Sequence, residues 1–219
     1  IQHYAEKSID TVQQATDADK VMCLIMDPKT GDILAMAITP GYDPNDPRVP
    51  LDENEAAYLD TLTDEEKLEY WNQMWRNPIV SDVYEPGSTS KLLTTAMALE
   101  EGVTSLDDRF TCTHSYNVSG TILNCWKSTP HGNQNLVEAV GNSCNPVFIE
   151  VGLRLGADRY YKYFKQFGLL KKTGIDLPGE AGTIMHQKKN VGAVELATMS
   201  FGQSIQITPL QLLRAVSAV

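Results

Sequence analysis

The sequence lacks a long hydrophobic run. None of its 219 residues lies in an uncharged apolar stretch of about 18, and its N-terminus, Ile1 to Tyr4, has no basic segment followed by an apolar core. The sequence therefore predicts neither a membrane span nor a leader. It also begins without Met and stops inside an apolar helical pattern at Ala218-Val219, so we expect an excised piece, and an anchor or leader outside it stays open.

Basic residues are scarce as well. The chain has 18 Lys and Arg against 28 Asp and Glu, for a formal net charge of −10. A surface of this sign repels phosphate backbones, which excludes most nucleic-acid-binding classes. Hydrophobic residues make up 42%, with 15 Gly and 11 Pro, which excludes collagenous and wholly disordered chains. The length suffices for one large or two small domains.

Cysteine and histidine are few, with four of each. The cysteines form no CxxC pair and the histidines are scattered, so the sequence predicts no metal site. Cys112 and Cys125 flank a segment, 116–123, that fits a short hairpin and would bring the sulfurs close. Either a disulfide, in an extracytoplasmic setting, or two free thiols is open there. Cys144 is predicted to be a small buried filler.

The apolar pattern predicts a helix-rich α+β domain with two clear strands. Val21–Asp27 and Asp32–Thr39 form an antiparallel hairpin, and residues 40–50, with four prolines, form an irregular connection. Three-to-four spacing, caps and breakers predict the helices: 2–14, one capped by Thr63, 88–100, 136–140, 146–155, 158–167 and one from Pro209. Two strands make an unstable sheet, so further strands are expected outside this segment.

A nucleophile pattern starts the helix predicted at Ser88. Lys91 follows three residues later, which places both side chains on one face. A serine hydroxyl needs a base to become a strong nucleophile, and a lysine kept neutral by burial is such a base. The N–H of Ser88 at a helix N-terminus would stabilise developing negative charge. Alone, the pattern also fits an ordinary helix start with Ser88 as the N-cap.

Two Ser-x-Asn segments are candidates for the remaining proton transfers. Ser143-Cys144-Asn145 lies between two predicted helices, where a serine can relay a proton and an amide can bind a peptide carbonyl. Ser115-Tyr116-Asn117 lies in a polar stretch and is predicted to be a surface turn. The sequence therefore favours the second segment over the first.

The ordered motifs resemble the transpeptidase domain of class B penicillin-binding proteins of the division, elongation or sporulation type. About 55 residues separate Ser88 from Ser143, a family-like spacing. The segments that carry the resemblance are Asp27–Met36, Tyr84–Gly102, Cys125-Trp126 with His131-Gly132, Ser143–Phe148, Thr173–Glu180 and Thr208–Gln211. The resemblance implies a β-lactamase/transpeptidase-like fold, helix-rich with an antiparallel sheet, of which residues 1–219 hold only the first hairpin.

The resemblance also implies residue roles. Ser88 is the acylated nucleophile, Lys91 its general base, Ser143 the proton shuttle to the leaving group, and Asn145 the holder of the donor peptide and of Lys91. No metal or organic cofactor is implied. The family's third motif, Lys-Thr/Ser-Gly, is expected after the end of this chain, so the segment alone should acylate slowly. Lys172-Thr173-Gly174 matches a different family segment and is predicted to be non-catalytic.

The implied function is a peptidoglycan D,D-transpeptidase that is inhibited by penicillin. Its implied partners are stem peptides ending in D-Ala-D-Ala, β-lactams and a membrane-bound division or elongation machinery, with no nucleic acid. The implied location is the extracytoplasmic face of the bacterial cell membrane. A D,D-carboxypeptidase or serine β-lactamase, in which water attacks the acyl-enzyme, and a non-catalytic penicillin-sensing module remain as alternatives.

Overall fold

The computed structural model describes residues 1–219 and has two compact units, Ile1–Ser81 and Asp82–Val219. The helices are α1 Gln2–Thr16, α2 Glu53–Asp60, α3 Asp64–Met74, α4 Pro78–Ser81, α5 Lys91–Glu100, α6 Leu136–Gly141, α7 Asn145–Leu155, α8 Ala157–Gln166, α9 Ala193–Met199 and α10 Pro209–Val216. None of these helices has both the length and the apolar character needed to cross a membrane.

All strands pair antiparallel, two by two. The pairs are β1 Val21–Met26 with β2 Ile33–Thr39, β3 Arg109–Cys112 with β6 Gly132–Asn135, β4 Ser115–Val118 with β5 Thr121–Asn124, and β7 Ile184–Met185 with β8 Ile205–Gln206. The prediction of only two clear strands is therefore wrong. The missed strands are two to four residues long, too short to show an alternating pattern.

The first unit is built on the predicted hairpin, which the structure confirms. Helix α1 packs on β1 and β2, and four small or branched side chains form the contact: Ala5, Ile9, Ala35 and Ala37. Thr63 caps α3 as predicted, because its hydroxyl accepts the N–H of Glu66 while the Glu66 carboxylate accepts the N–H of Thr63. Helix α2 was not predicted, although the Asp52 carboxylate caps it by accepting the N–H groups of Asn54 and Glu55.

The second unit is organised around α7. This helix packs against α5, α8 and α9, and the largest fully buried side chains include Tyr160, Phe148, Phe164, Leu93, Met97 and Met199. Burying each such side chain stabilises the fold by roughly 1.5–3 kcal/mol. The Tyr160 hydroxyl donates to the carbonyl of Met199 at 2.6 Å, which satisfies its polar atom inside the core.

The end of α9 approaches the segment before α5 very closely. Gly202, with φ +85°, accepts a hydrogen bond from the N–H of Gly87 at 3.0 Å, and a Cβ on Gly202 would lie 2.0 Å from the Gly87 carbonyl oxygen. Real Cβ atoms do not approach backbone oxygens so closely. Only glycine at position 202 therefore permits this contact.

We expect Gly202→Ala to lower the free energy of unfolding by about 3 kcal/mol or more, because it adds a steric clash to an unfavourable φ. Gly120→Ala is the matched control: Gly120 has φ +93° and open space around it. The control should lose only about 1–2 kcal/mol. Denaturant unfolding measures both variants, and equal losses would contradict the close approach.

Candidate active site

The candidate nucleophile lies in a tight turn that leads into α5. Residues Gly87–Ser90 form a 3-10 helix, in which side chains at positions i and i+3 eclipse one another. This geometry places the Ser88 Oγ 3.1 Å from the Lys91 Nζ. The predicted helix over 88–100 is thus confirmed, except that its first turn is tighter than an α-helix.

Side chains of neighbouring residues fix this turn. The Thr89 hydroxyl donates to the Pro86 carbonyl at 2.6 Å, and the Ser90 hydroxyl donates to the Gly87 carbonyl at 2.8 Å. Ser88 caps no backbone N–H, since α5 begins at Lys91 and has no side-chain cap. The interpretation of Ser88 as an ordinary N-cap is therefore wrong, and its hydroxyl is available for other contacts.

Ser143 lies at the end of α6 in a conformation that usually belongs to glycine. Its N–H donates to the Val140 carbonyl and the N–H of Cys144 donates to the Ala139 carbonyl, both at 3.0 Å, which is the Schellman pattern. The residue at this point needs a positive φ, and Ser143 has φ 49°. A non-glycine residue held there costs about 1–2 kcal/mol, and such strain tends to occur at functional sites.

Lys91 joins the turn to the Ser143 segment. Its side chain is only 3% exposed, and its Nζ donates to the Ser143 carbonyl at 2.8 Å and to the Asn145 Oδ1 at 2.7 Å. The same Nζ lies 2.9 Å from the Ser143 Oγ, which is 2.9 Å from the Ser88 Oγ. Two serines, a lysine and an asparagine thus form one connected network.

Burial lowers the pKa of Lys91 to about 8. The thiols of Cys125 and Cys144 act in the opposite direction, but the loss of hydration is the larger effect. A substantial fraction of Lys91 is therefore neutral near pH 8, whereas an exposed lysine there is almost fully protonated.

The partners of the amine determine where its lone pair points. A neutral amine has two N–H donors and one lone pair, and the Ser143 carbonyl and the Asn145 Oδ1 can only accept. When these two oxygens take the N–H donors, the lone pair is left facing the hydroxyls of Ser88 and Ser143. The arrangement can therefore take a proton from one hydroxyl and return it through the other.

The structure separates the two Ser-x-Asn segments. Ser143 and Asn145 contact Lys91, whereas Ser115 and Asn117 lie on β4, and the Asn117 side chain accepts the N–H of Gly120 at the β4–β5 turn. The prediction that residues 115–117 form a surface turn is wrong, because they pair with β5. The predicted short hairpin over residues 116–123 is confirmed.

Lys172-Thr173-Gly174 lies in an irregular segment, outside any strand. The N–H groups of Thr173 and Gly174 both donate to the carboxylate of Glu180, so this carboxylate organises the turn. These two backbone donors are therefore already paired within the chain. The non-catalytic assignment of this tripeptide stays a prediction.

Four side chains that the sequence analysis did not connect meet beside the network. The ligating atoms of Cys112, Cys125, His131 and Cys144 all lie within 4.8 Å of one another. All three cysteines are free thiols. Cys144 is fully buried, as predicted. The convergence of these four side chains was not predicted from the sequence. The four residues are far apart in the sequence, so no short ligand motif indicates the cluster.

The pKa values of two thiols in this cluster shift in opposite directions. Burial alone would raise the pKa of Cys112, yet hydrogen bonds from the backbone of His131 and His114 and from neighbouring thiols bring it below its ordinary value. Burial raises the pKa of Cys144 to about 12. Cys112 therefore loses its proton more readily than Cys144.

The chain belongs to the penicillin-binding protein transpeptidase domain family, which it matches over residues 21–219, and within it to the class B proteins. It is 39% identical over 219 residues to stage V sporulation protein D of Bacillus subtilis, covering all of this chain and 31% of that protein. It is 28% identical over 202 residues to the peptidoglycan D,D-transpeptidase FtsI of Escherichia coli, covering 92% of this chain and 30% of that protein.

Solved structures agree with this assignment. Penicillin binding protein 3 from Mycobacterium tuberculosis, in complex with aztreonam, is 26% identical with a TM-score of 0.78, covering 96% of this chain and 43% of that one. A peptidoglycan glycosyltransferase from Burkholderia ambifaria shares the fold with a TM-score of 0.80 at 20% identity, covering 99% of this chain and 58% of that one. The predicted transpeptidase-like fold is thus confirmed. The chain spans about a third of the length of the curated relatives it matches.

We expect Ser143→Ala to slow acylation by penicillin about 100-fold in the protein as it is encoded, because the variant lacks the hydroxyl that touches both Ser88 and Lys91. Ser143→Gly should be equally slow, although glycine accepts the positive φ without strain. Ser115→Ala is the control and should acylate at the normal rate. Stopped-flow or gel-based acylation measures the rates, and a normal rate for Ser143→Gly would contradict the shuttle geometry.

Proposed function

We propose that this chain carries the acylation machinery of a peptidoglycan D,D-transpeptidase. The observation that carries the proposal is the hydrogen-bonded network of Ser88, Lys91, Ser143 and Asn145, with Lys91 buried and its pKa lowered to about 8. Membership of the transpeptidase family and the names of its relatives support the same reaction.

In the first half-reaction, the Ser88 Oγ attacks the carbonyl carbon of the penultimate D-Ala of a stem peptide. Lys91 accepts the hydroxyl proton, and the peptide bond to the terminal D-Ala breaks. Ser143, 2.9 Å from both Ser88 Oγ and Lys91 Nζ, passes a proton to the departing amine. The products are an ester on Ser88 and free D-Ala.

In the second half-reaction, an amine of a second stem peptide attacks the ester carbonyl. The same groups move the proton in reverse: the amine loses a proton and the Ser88 oxygen regains one as the ester breaks. The new peptide bond is the cross-link. The chain's own groups suffice for these proton transfers, and Asn145 holds the donor peptide while it fixes Lys91.

β-Lactams fit the same site as acyl donors. Attack by Ser88 opens the four-membered lactam ring, so the leaving nitrogen stays tethered to the acyl group and blocks the approach of an amine. The acyl-enzyme then persists. The relative from Mycobacterium tuberculosis was solved with aztreonam, a molecule of this class, which supports β-lactam binding here.

The location and partners follow from the substrate. Stem peptides of peptidoglycan lie outside the cytoplasmic membrane, so the proposal places the site on the extracytoplasmic face, tethered by a part of the protein outside residues 1–219. Division, elongation or sporulation machinery would then be its macromolecular partner. The relatives named for sporulation and for peptidoglycan transpeptidation support such assemblies.

Release of labelled D-Ala from a synthetic stem pentapeptide tests the reaction in the protein as it is encoded. We expect D-Ala release and a cross-linked product when an amine acceptor is present, and neither with Ser88→Ala, because that variant cannot form the ester. Mass mapping of a penicillin adduct should find Ser88.

The alternatives give different products in the same assay. A D,D-carboxypeptidase would release D-Ala equally without an acceptor and form no cross-link, and a β-lactamase would turn over penicillin. A penicillin-sensing module would be acylated by penicillin and release no D-Ala. An adduct on Ser143, or cross-linking that survives Ser88→Ala, would overturn the proposed role of Ser88.

A further inference from the structure

The cluster of Cys112, Cys125, His131 and Cys144 draws on separate parts of the second unit. Cys112 ends β3, Cys125 follows β5, His131 precedes β6, and Cys144 lies between α6 and α7. The three cysteines are buried and His131 is half-buried. Four separate positions in the chain thus bring three sulfurs and an imidazole nitrogen close together.

The distances match a tetrahedral metal site. With Zn–S near 2.3 Å and Zn–N near 2.0–2.1 Å, a tetrahedron places sulfur and nitrogen about 3.6 Å apart and two sulfurs about 3.8 Å apart. The Nδ1 of His131 lies 3.6 Å from the sulfur of Cys112 and 3.6 Å from the sulfur of Cys125. All four ligating atoms fall within 4.8 Å of one another, so a small shift closes the set around one ion.

The donor types select the metal. Three thiols and one imidazole are soft and borderline ligands, which suit zinc and exclude calcium and magnesium, since those ions prefer oxygen. Four protein ligands complete a tetrahedron and leave no position for water or substrate. A site of this kind is structural, whereas catalytic zinc sites keep one position open.

A disulfide is the competing use of these thiols. It would join two of the three sulfurs and leave the third, together with the Nδ1 of His131, without a role. The imidazole nitrogen is 3.6 Å from two different sulfurs, which a single disulfide does not require. The geometry therefore favours a shared ion over a pairwise bond.

We propose that Cys112, Cys125, His131 and Cys144 form a structural zinc site that holds the Ser143–Asn145 segment in place. Cys144 separates Ser143 from Asn145 in the chain, so an ion on Cys144 fixes the backbone of both. Cys125 follows Asn124, whose carbonyl accepts a hydrogen bond from the Nδ2 of Asn145 at 3.3 Å. The ion would thereby tie both sides of this hydrogen bond to β3 and β6.

Metal content tests the site without any assay of the reaction. The protein as it is encoded is purified without metal-affinity steps, reduced, loaded with zinc and desalted, and zinc is counted by mass spectrometry. We expect one zinc per chain, and loss of it in Cys125→Ser. Cys23→Ser is the matched control, because Cys23 lies on β1 outside the cluster, and it should keep its zinc.

Cobalt provides a second readout that needs no destabilising variant. The cobalt-loaded wild type should show thiolate-to-metal charge transfer and intense tetrahedral bands. His131→Cys should still bind one ion with a four-sulfur spectrum, since that set is also common for zinc. Failure of the reduced wild type to take up zinc or cobalt, or uptake that is unchanged in Cys125→Ser, would overturn the site.

The positioning role has its own test. Removal of zinc with a chelator should slow penicillin acylation about 10- to 100-fold, because small displacements of catalytic groups have effects of this size. Re-addition of zinc should restore the rate, and Cys23→Ser should respond like the wild type. An unchanged rate in protein shown to be zinc-free would overturn the positioning role, while absence of acylation with zinc bound would count against the proposed function instead.

Discussion

The candidate site depends on one buried amine. Lys91 is 3% exposed, and its polar neighbours are the hydroxyls of Ser88 and Ser143, the Ser143 carbonyl and the Asn145 amide oxygen, none of which carries a negative charge. Without a carboxylate to hold the proton, burial lowers the pKa to about 8. A change of this size corresponds to about 3 kcal/mol between the two protonation states, which exceeds the roughly 1 kcal/mol of a typical hydrogen bond. Burial therefore decides the charge, and the hydrogen bonds decide the direction of the lone pair.

The surrounding fold serves to hold that amine against its partners. The 3-10 turn eclipses Ser88 with Lys91, and Gly202 lets α9 approach the turn more closely than any other residue would allow. On the other side, the end of α6 holds Ser143 at a positive φ so that both its carbonyl and its hydroxyl face the lysine. These constraints come from backbone geometry, so side-chain substitutions elsewhere in the core should affect stability more than chemistry.

The sequence predicted the first hairpin, most of the helices and the four residues of the hydrogen-bonded network, Ser88, Lys91, Ser143 and Asn145. It succeeded where the signal is local: the Thr63 and Thr208 caps, the three-residue spacing of Ser88 and Lys91, and the position of Ser143 between two helices. It failed for the strands β3, β6, β7 and β8, because they are short and their pairing is set by tertiary contacts. The cysteine–histidine cluster was missed for a related reason. Its ligands are 6 to 13 residues apart and converge only after two hairpins have formed.

The most direct test of the account is the pKa of Lys91 itself. Lysine labelled with carbon-13 at Cε gives NMR signals that move as each amine titrates, and the signal missing from Lys91→Met identifies the one from Lys91. The account predicts a midpoint near pH 8 for this signal, below those of exposed lysines near 10.4. A Lys91 midpoint near that of exposed lysines would show that the amine stays protonated at neutral pH, and would contradict its proposed role as the base that activates Ser88.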